Sequence, residues 1–237
     1  MSSIPVIDFQ KYGLQIEKAD SVPREDLKEL GDQMCQALQN IGFCYLKNHG
    51  VPDAQPLEEK KKNVKPDEGY DGWIGLEKEN LNLERPVGDY KETYNITPIC
   101  EKWPTNIPEF ETVLMDFLRK CIDLALRVFD VISVDKNFFR NCHKLIGQRG
   151  NVTALRSLFY PAIPIEKEIM EGQVRCGEHS DYGTLTLLFQ DIVGKTRDGD
   201  YIPATPISST IVVNIGDMMQ RWTADKPIAT VKFNFFI

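Results

Sequence analysis

The chain has 237 residues and a mass of 27.1 kDa, which is long enough to bury a sizeable apolar core. Its composition of 42% hydrophobic and 27% charged residues, with 16 Gly and 14 Pro, excludes collagen-like and coiled-coil classes. The net charge of −7, from 28 basic and 35 acidic residues, would repel a phosphate backbone, so we expect no nucleic acid partner.

The sequence gives no sign of a membrane segment. No stretch approaches the roughly 18 apolar residues that a membrane span needs, and residues 1–5 lack the basic flank and apolar run of a signal peptide. We therefore expect a cytoplasmic protein. In that reducing compartment the six scattered cysteines are expected to be buried free thiols. Cys176 lies three residues before His179 and could be half of a zinc site, but the sequence offers no second half.

The first half of the chain predicts a strand, a helix and a second strand. Residues 4–9 form the first strand-like run. A helix follows from Ser21 to residue 41, with apolar residues at helical spacing, and Gly42 stops it. Residues 43–46 predict the second strand. The charged, non-periodic residues 53–69 predict a linker.

The second half predicts one long helix and several short strands. Residues 70–100 are expected to form loops and brief strands. Pro108 opens an amphipathic helix, and three strand-like runs follow at 155–160, 183–189 and 209–215. Helices followed by many short strands favour a mainly β fold with backing helices, of the jelly-roll kind. The predicted apolar face of the helix comprises Phe110, Val113, Leu114, Phe117, Cys121, Leu124, Ala125, Val128 and Ile132.

The most informative motif is His179-Ser180-Asp181. In an extended chain residues i and i+2 point to the same side, so an imidazole and a carboxylate can face one point. These are two suitable ligands for a divalent metal, and a second histidine would complete the facial triad of non-haem Fe(II) oxygenases. A histidine hydrogen-bonded at a strand end is the competing interpretation of so short a motif.

Five pieces of the sequence match the pattern of one known family. They are residues 4–9, residues 42–51, Leu155-Arg156 with Tyr160-Pro161, residues 179–188, and residues 214–217 with 220–222. With these pieces, along nearly its whole length, the sequence resembles the isopenicillin N synthase-like group of Fe(II)- and 2-oxoglutarate-dependent oxygenases. The resemblance implies a double-stranded β-helix, also described as a cupin-like jelly roll, with His179 and Asp181 as iron ligands and Tyr160 near the 2-oxoglutarate carboxylate. It also implies an N-terminal region at 1–100 and a jelly-roll region at 101–237.

The resemblance also implies the cofactors and the reaction. Fe(II) and 2-oxoglutarate, with ascorbate as a possible addition, would oxidise a small organic molecule. In that reaction 2-oxoglutarate is decarboxylated to succinate and hydrogen is removed from an unactivated carbon, chemistry that belongs to the cofactor while the protein positions it.

Two departures from the family pattern predict an impaired enzyme. Lys232 stands where the second histidine is expected, and a cationic ammonium has no lone pair for iron. The arginine that clamps 2-oxoglutarate would lie beyond Ile237. We therefore expect a jelly roll that is incomplete at its C-terminus, with low stability, weak iron binding and little turnover. His49 and His143 are expected to be structural rather than replacement ligands.

The same departures leave a second hypothesis open. The chain could keep the cupin-like shell as a non-catalytic binding or regulatory module. In that case the metal-binding pair would be a remnant, and the substitution His179→Ala would leave the cellular effect unchanged.

Overall fold

A computed structural model describes residues 4–51, 70–80, 85–104, 107, 109–133, 135, 137–190 and 204–234, with residues 233 and 234 described by their backbone alone. Nine β-strands and four α-helices lie within these residues. The predicted linker at 53–69 falls outside them. None of the helices in this described part has the length and apolar composition that a bilayer crossing requires.

The chain divides into two compact units, each assembled from separate segments. The first comprises Met1–Ala54, Arg119–Lys144 and Ser180–Val231, and the second comprises Gln55–Leu118, Leu145–His179 and Lys232–Ile237. Neither unit is a continuous stretch of sequence. The predicted division into residues 1–100 and 101–237 follows the linear chain and stays a prediction.

The first unit contains a four-stranded sheet. Its strands are β1 (Val6–Asp8), β2 (Phe43–Lys47), β7 (Leu185–Leu188) and β8 (Thr210–Ile215), in the order β1-β2-β8-β7. β1 pairs parallel with β2, whereas β8 pairs antiparallel with both of its neighbours. Strands were predicted at each of these four places, and each prediction is confirmed.

Helix α1 (Arg24–Asn40) precedes β2 and buries one face. Its first turn carries Glu25 and Asp26, which favour the positive end of the helix dipole. It ends before Gly42, whose φ of +79° suits glycine, and the predicted stop is confirmed. A core cluster of the first unit joins α1 to the sheet and to three later helices; its buried members are Leu38, Phe129, Phe139, Ile215 and Met219.

Helix α2 (Phe110–Ile132) is the predicted long helix. Pro108, where the helix was predicted to start, lies outside the described residues. Leu124 and Val128 on its apolar face are fully buried. Val113 was predicted on that face and is instead 56% exposed. It lies at the edge of the apolar stripe in the first turn, where a helix end is covered by fewer neighbours. Two short helices follow later in the chain, α3 (Phe138–Cys142) and α4 (Asp217–Trp222).

The second unit contains two small sheets. An antiparallel sheet joins β3 (Gly72–Ile74), β4 (Glu92–Ile96) and β5 (Leu155–Phe159), so the brief strands predicted within 70–100 and the strand predicted at 155–160 are present. A two-stranded sheet pairs β6 (Cys176–His179) with β9 (Lys232–Asn234). The β6–β9 pair contains His179, one of the predicted metal ligands.

Candidate metal centre

His179 is the last residue of β6, and its ring is held by a carbonyl close in sequence. Its Nδ1 lies 2.8 Å from the backbone oxygen of Gly177. Because a carbonyl can only accept, Nδ1 must carry the hydrogen in this bond. In the neutral ring the lone pair then resides on Nε2, which is the tautomer that a metal-binding histidine with a carbonyl partner uses.

A thiol and an ammonium group lie beside this imidazole. Cys176 Sγ is 3.9 Å from His179 Nδ1 and 3.4 Å from Lys91 Nζ. Burial alone would raise the pKa of Cys176, but the hydrogen bond with His179 and the charge of Lys91 outweigh it and lower that pKa. The same hydrogen bond raises the pKa of His179 against the opposing effects of burial and of Lys232. A raised pKa favours the charged ring, from which metal binding displaces a proton.

Asp181 is held by donors from two neighbouring strands. Its Oδ2 accepts from Thr186 Oγ1 at 2.6 Å and from Asn214 Nδ2 at 2.8 Å. Thr186 and Asn214 are direct Cα partners in the β7–β8 pair, so their side chains share one face of the sheet. Asn214 is only 1% exposed. Two donors on one oxygen fix the orientation of the carboxylate.

The backbone around Asp181 packs against the junction of β8 and α4. The Asp217 amide donates to the Asp181 carbonyl at 2.8 Å. A Cβ on Gly216 would lie closer than 3.0 Å to the carbonyl oxygens of Gly183 and Asp181. Residue 216 must therefore be glycine for these two segments to approach. Thr186, Asn214 and Gly216 lie in pieces that carried the family resemblance, but the sequence pattern alone assigned them no role.

The predicted site residues belong to different compact units. His179 lies in the second unit, Asp181 lies in the first, and Tyr160 follows β5 in the second. The convergence of His179 and Asp181 on one ion, and the approach of Tyr160 to 2-oxoglutarate, stay predictions.

Lys232 occupies the position directly across from His179. The two residues are Cα partners in the β6–β9 pair. The lysine ammonium cannot coordinate iron, and its positive charge opposes a cation at this place. Among the described residues, no group of three or more His, Cys, Asp or Glu side chains could hold a metal ion. His179 and Asp181 have the donor chemistry that Fe(II) requires, but the described residues do not complete a facial triad.

The other two histidines have structural surroundings. His49 is 4% exposed, and its Nδ1 accepts the Val51 amide at 3.1 Å. In His143, Nδ1 lies 2.6 Å from the Phe139 carbonyl oxygen and Nε2 lies 2.8 Å from Thr184 Oγ1, while the ring stacks on Phe129 at 4.1 Å. Burial lowers the pKa of His143. These contacts agree with the structural roles expected from the sequence.

Comparison with known proteins identifies the family. Residues 4–110 match the model described as "non-haem dioxygenase in morphine synthesis N-terminal", and residues 151–231 match that of the 2OG-Fe(II) oxygenase superfamily. Proline hydroxylase buaE of Petromyces alliaceus is 31% identical over 80% of this chain and 69% of its own length. Homoarginine-6-hydroxylase 2-ODD-C23.2 of Arabidopsis thaliana is 27% identical over 92% of this chain and 69% of its own length.

A solved structure supports the same family and the predicted fold. A Neurospora crassa protein, crystallised at full length with alpha-KG and thymine, superimposes with a TM-score of 0.75. The two proteins are 29% identical, and the match covers 98% of this chain and 79% of the Neurospora protein. The predicted double-stranded β-helix, the fold of such oxygenases, is thereby confirmed. The chain belongs to the isopenicillin N synthase-like family of oxygenases that depend on Fe(II) and 2-oxoglutarate.

Proposed function

We propose that this chain is a 2-oxoglutarate- and Fe(II)-dependent oxygenase of low activity whose substrate is a small organic molecule. His179 and Asp181 would be its two protein ligands to iron, and Tyr160 would lie near the 2-oxoglutarate carboxylate. The observation that carries the proposed impairment is the register of β6 and β9, in which Lys232 is the partner of His179.

The contacts of the neighbouring residues indicate the role that each would have at the metal site. Gly177 would keep the His179 lone pair on Nε2, and Thr186 with Asn214 would hold the Asp181 carboxylate in one orientation. Bound iron and 2-oxoglutarate would supply the oxidation chemistry. With lysine at position 232, the protein would offer two ligands instead of three, so iron would bind weakly.

The names of the relatives suggest the class of substrate. Two matching enzymes are named hydroxylases of proline and of homoarginine, and the Neurospora protein was crystallised with thymine. All three are small, polar, nitrogen-containing molecules. We propose a substrate of similar size.

The substitution Lys232→His tests the proposed cause of impairment. It would place an imidazole across from His179, so we expect the affinity for Fe(II) to rise by at least about tenfold in an anaerobic titration. Lys226→His, at an exposed lysine six positions earlier, is the matched control and should leave the affinity unchanged. Succinate release measured with 2-oxoglutarate reports whether turnover also increases.

Two results would contradict this proposal. Tight one-to-one iron binding with turnover by the unmodified chain would mean that Lys232 does not impair the site. Equal iron affinity in Lys232→His and Lys226→His would mean that residue 232 is not at the third ligand position.

The second candidate function is a non-catalytic binding or regulatory module, favoured by the same lysine. A cellular effect that persists in the His179→Ala variant would support it. Loss of that effect, with the variant still folded, would favour the metal-dependent function.

A further inference from the structure

A group of five charged residues, two of them buried, lies beside β6 in the second unit. It consists of Glu79, Arg85, Asp89, Lys91 and Arg156, and we call it the Asp89 cluster. Asp89 is fully buried and Lys91 is 3% exposed. Asp89 Oδ1 accepts from Arg85 Nη2 at 2.7 Å, and Oδ2 accepts from Lys91 Nζ at 2.6 Å. Lys91 Nζ also lies 3.1 Å from Glu79 Oε2, and Arg156 pairs with the other Glu79 oxygen.

Gly177 connects the Asp89 cluster to His179 through two backbone hydrogen bonds. The Gly177 amide donates to Asp89 Oδ1 at 3.1 Å, and the Gly177 carbonyl accepts from His179 Nδ1 at 2.8 Å. The pairing of β6 with β9 shifts register between Cys176 and His179. At such an irregularity the regular ladder of hydrogen bonds is interrupted, and the intervening residues can take other partners. The Gly177 amide binds Asp89, and the Gly177 carbonyl binds His179.

Two further contacts hold the same short segment. A Cβ on Gly177 would lie closer than 3.0 Å to Nη2 and Cζ of Arg85, so the guanidinium packs directly on the glycine backbone. Lys91 Nζ lies 3.4 Å from Cys176 Sγ, one residue earlier. The Asp89 cluster therefore contacts strand β6 at two places, the backbone of Gly177 and the side chain of Cys176.

Stability alone is a weak reason for such a cluster. Moving ionised groups out of water is costly, and well-packed apolar residues often replace a buried ion pair without loss of stability. A buried carboxylate that accepts three donors does, however, fix the geometry of all three. One of those donors belongs to the residue whose carbonyl holds the His179 ring.

We propose that Asp89 is a positioning residue that fixes Gly177, so that the Gly177 carbonyl holds the His179 ring with its hydrogen on Nδ1. The relevance of this role to iron rests on the proposed function, in which His179 is a ligand. The positioning itself involves only the metal-free protein and can be measured there.

The test is nitrogen-15 NMR of the protein labelled at histidine, without metal and at a pH where the rings are neutral. The chain has three histidines, and His179→Gln identifies the signals of His179. Protonated and unprotonated ring nitrogens resonate far apart, so the tautomer is read directly. We expect the unmodified His179 to carry its hydrogen on Nδ1. In Asp89→Asn we expect a mixture of the two tautomers.

Asp130→Asn is the matched control. Asp130 is also buried, at 5% exposure, and accepts from Arg140 and from the Tyr12 hydroxyl within the first unit. It should lower the melting temperature as Asp89→Asn does, because both variants remove the charge of a buried, ion-paired carboxylate. It should leave the His179 tautomer unchanged. If Asp89→Asn does not fold, Gly177→Ala provides the test, since the added Cβ displaces Arg85 or the backbone at residue 177 while every charge of the cluster stays.

The outcomes separate this inference from the proposed function. The inference would be overturned if His179 of the unmodified protein carries its hydrogen on Nε2. It would also be overturned if the His179 tautomer is unchanged in folded Asp89→Asn. If only Gly177→Ala folds, an unchanged His179 tautomer in that variant would overturn it. The inference would be supported if the hydrogen of His179 is on Nδ1 in the unmodified protein and the variant shows a mixture of both tautomers. This holds even if the anaerobic titration shows no iron binding and so rejects the iron assignment.

Discussion

At the scale of single residues, the two predicted ligands obtain their hydrogen bonds in different ways. His179 uses the carbonyl of Gly177, two positions earlier in the same strand. Asp181 uses Thr186 and Asn214, which come from two strands of the four-stranded sheet. The first arrangement is local, whereas the second requires the correct register of β7 against β8. A change in Asn214 should therefore disturb both the carboxylate and the sheet.

Replacing Asn214 tests this dependence. Asn214→Ala removes a buried donor from the partly buried Asp181 carboxylate, and we expect a loss of about 1–3 kcal/mol in the free energy of unfolding at pH 7. Asn214→Asp should cost more, because it places a second carboxylate beside Asp181 and raises the pKa of one of the two. Urea denaturation at several pH values measures both effects.

The sign of the pH dependence follows from that raised pKa. The folded Asn214→Asp variant would bind more protons than its unfolded state, so its deficit relative to Asn214→Ala should shrink as the pH falls toward about 4. The exposed substitution Asn141→Asp should change stability by less than about 0.5 kcal/mol. A deficit that grows on acidification would contradict the predicted pairing.

At the scale of elements, the junction of β8 and α4 organises the segment after β6. Gly216 is extended, with φ of −104° and ψ of 178°, and it lies against the carbonyl oxygens of Asp181 and Gly183. The Met218 amide donates to the Gly183 carbonyl at 3.1 Å. These contacts explain why glycine precedes α4.

A pair of glycine substitutions tests the junction. In Gly216→Ala the new Cβ meets backbone oxygens that cannot rotate away, so we expect a loss of about 1–3 kcal/mol in the free energy of unfolding. Gly183→Ala is the control, since a Cβ there meets nothing within 4 Å, and it should stay within about 0.5 kcal/mol of the unmodified protein. Equal losses in the two variants, measured by urea denaturation, would refute the proposed close approach.

At the scale of the whole molecule, the cysteines agree in part with the expectation from the sequence. All six are free, but only Cys44 and Cys176 are buried, while Cys142 is exposed and the other three are intermediate. Burial raises the pKa of Cys44 and of Cys121 to about 12, which keeps those thiols protonated. Exposure and thiolate content together should separate the six in their reactivity.

Thiol labelling of the native protein measures that separation. With a chromogenic disulfide reagent at about pH 8, near the ordinary thiol pKa, we expect one fast thiol from Cys142 and slow reaction of Cys44 and Cys121. Cys142→Ser should abolish the fast phase, and denaturant should make all six thiols of the unmodified chain react together. A fast phase that survives in Cys142→Ser would show that another thiol is accessible.

The sequence by itself determined the main elements and one candidate motif. The strands β1, β2, β5, β7 and β8 and the helices α1 and α2 follow from periodicity, capping and turn residues, which act over a few neighbouring positions. The His179 and Asp181 spacing and the unusual Lys232 were also visible in the sequence, and family resemblance gave these residues their meaning.

Only the tertiary structure decided which distant residues meet. The pairing of His179 with Lys232, the bond from Asn214 to Asp181 and the link from Asp89 to Gly177 join positions between 33 and 88 residues apart. No local pattern encodes such contacts, because strand register and side-chain convergence depend on how the whole chain packs. The exposure of Val113 has the same origin, since periodicity places a residue on a face while packing decides how much of that face is covered.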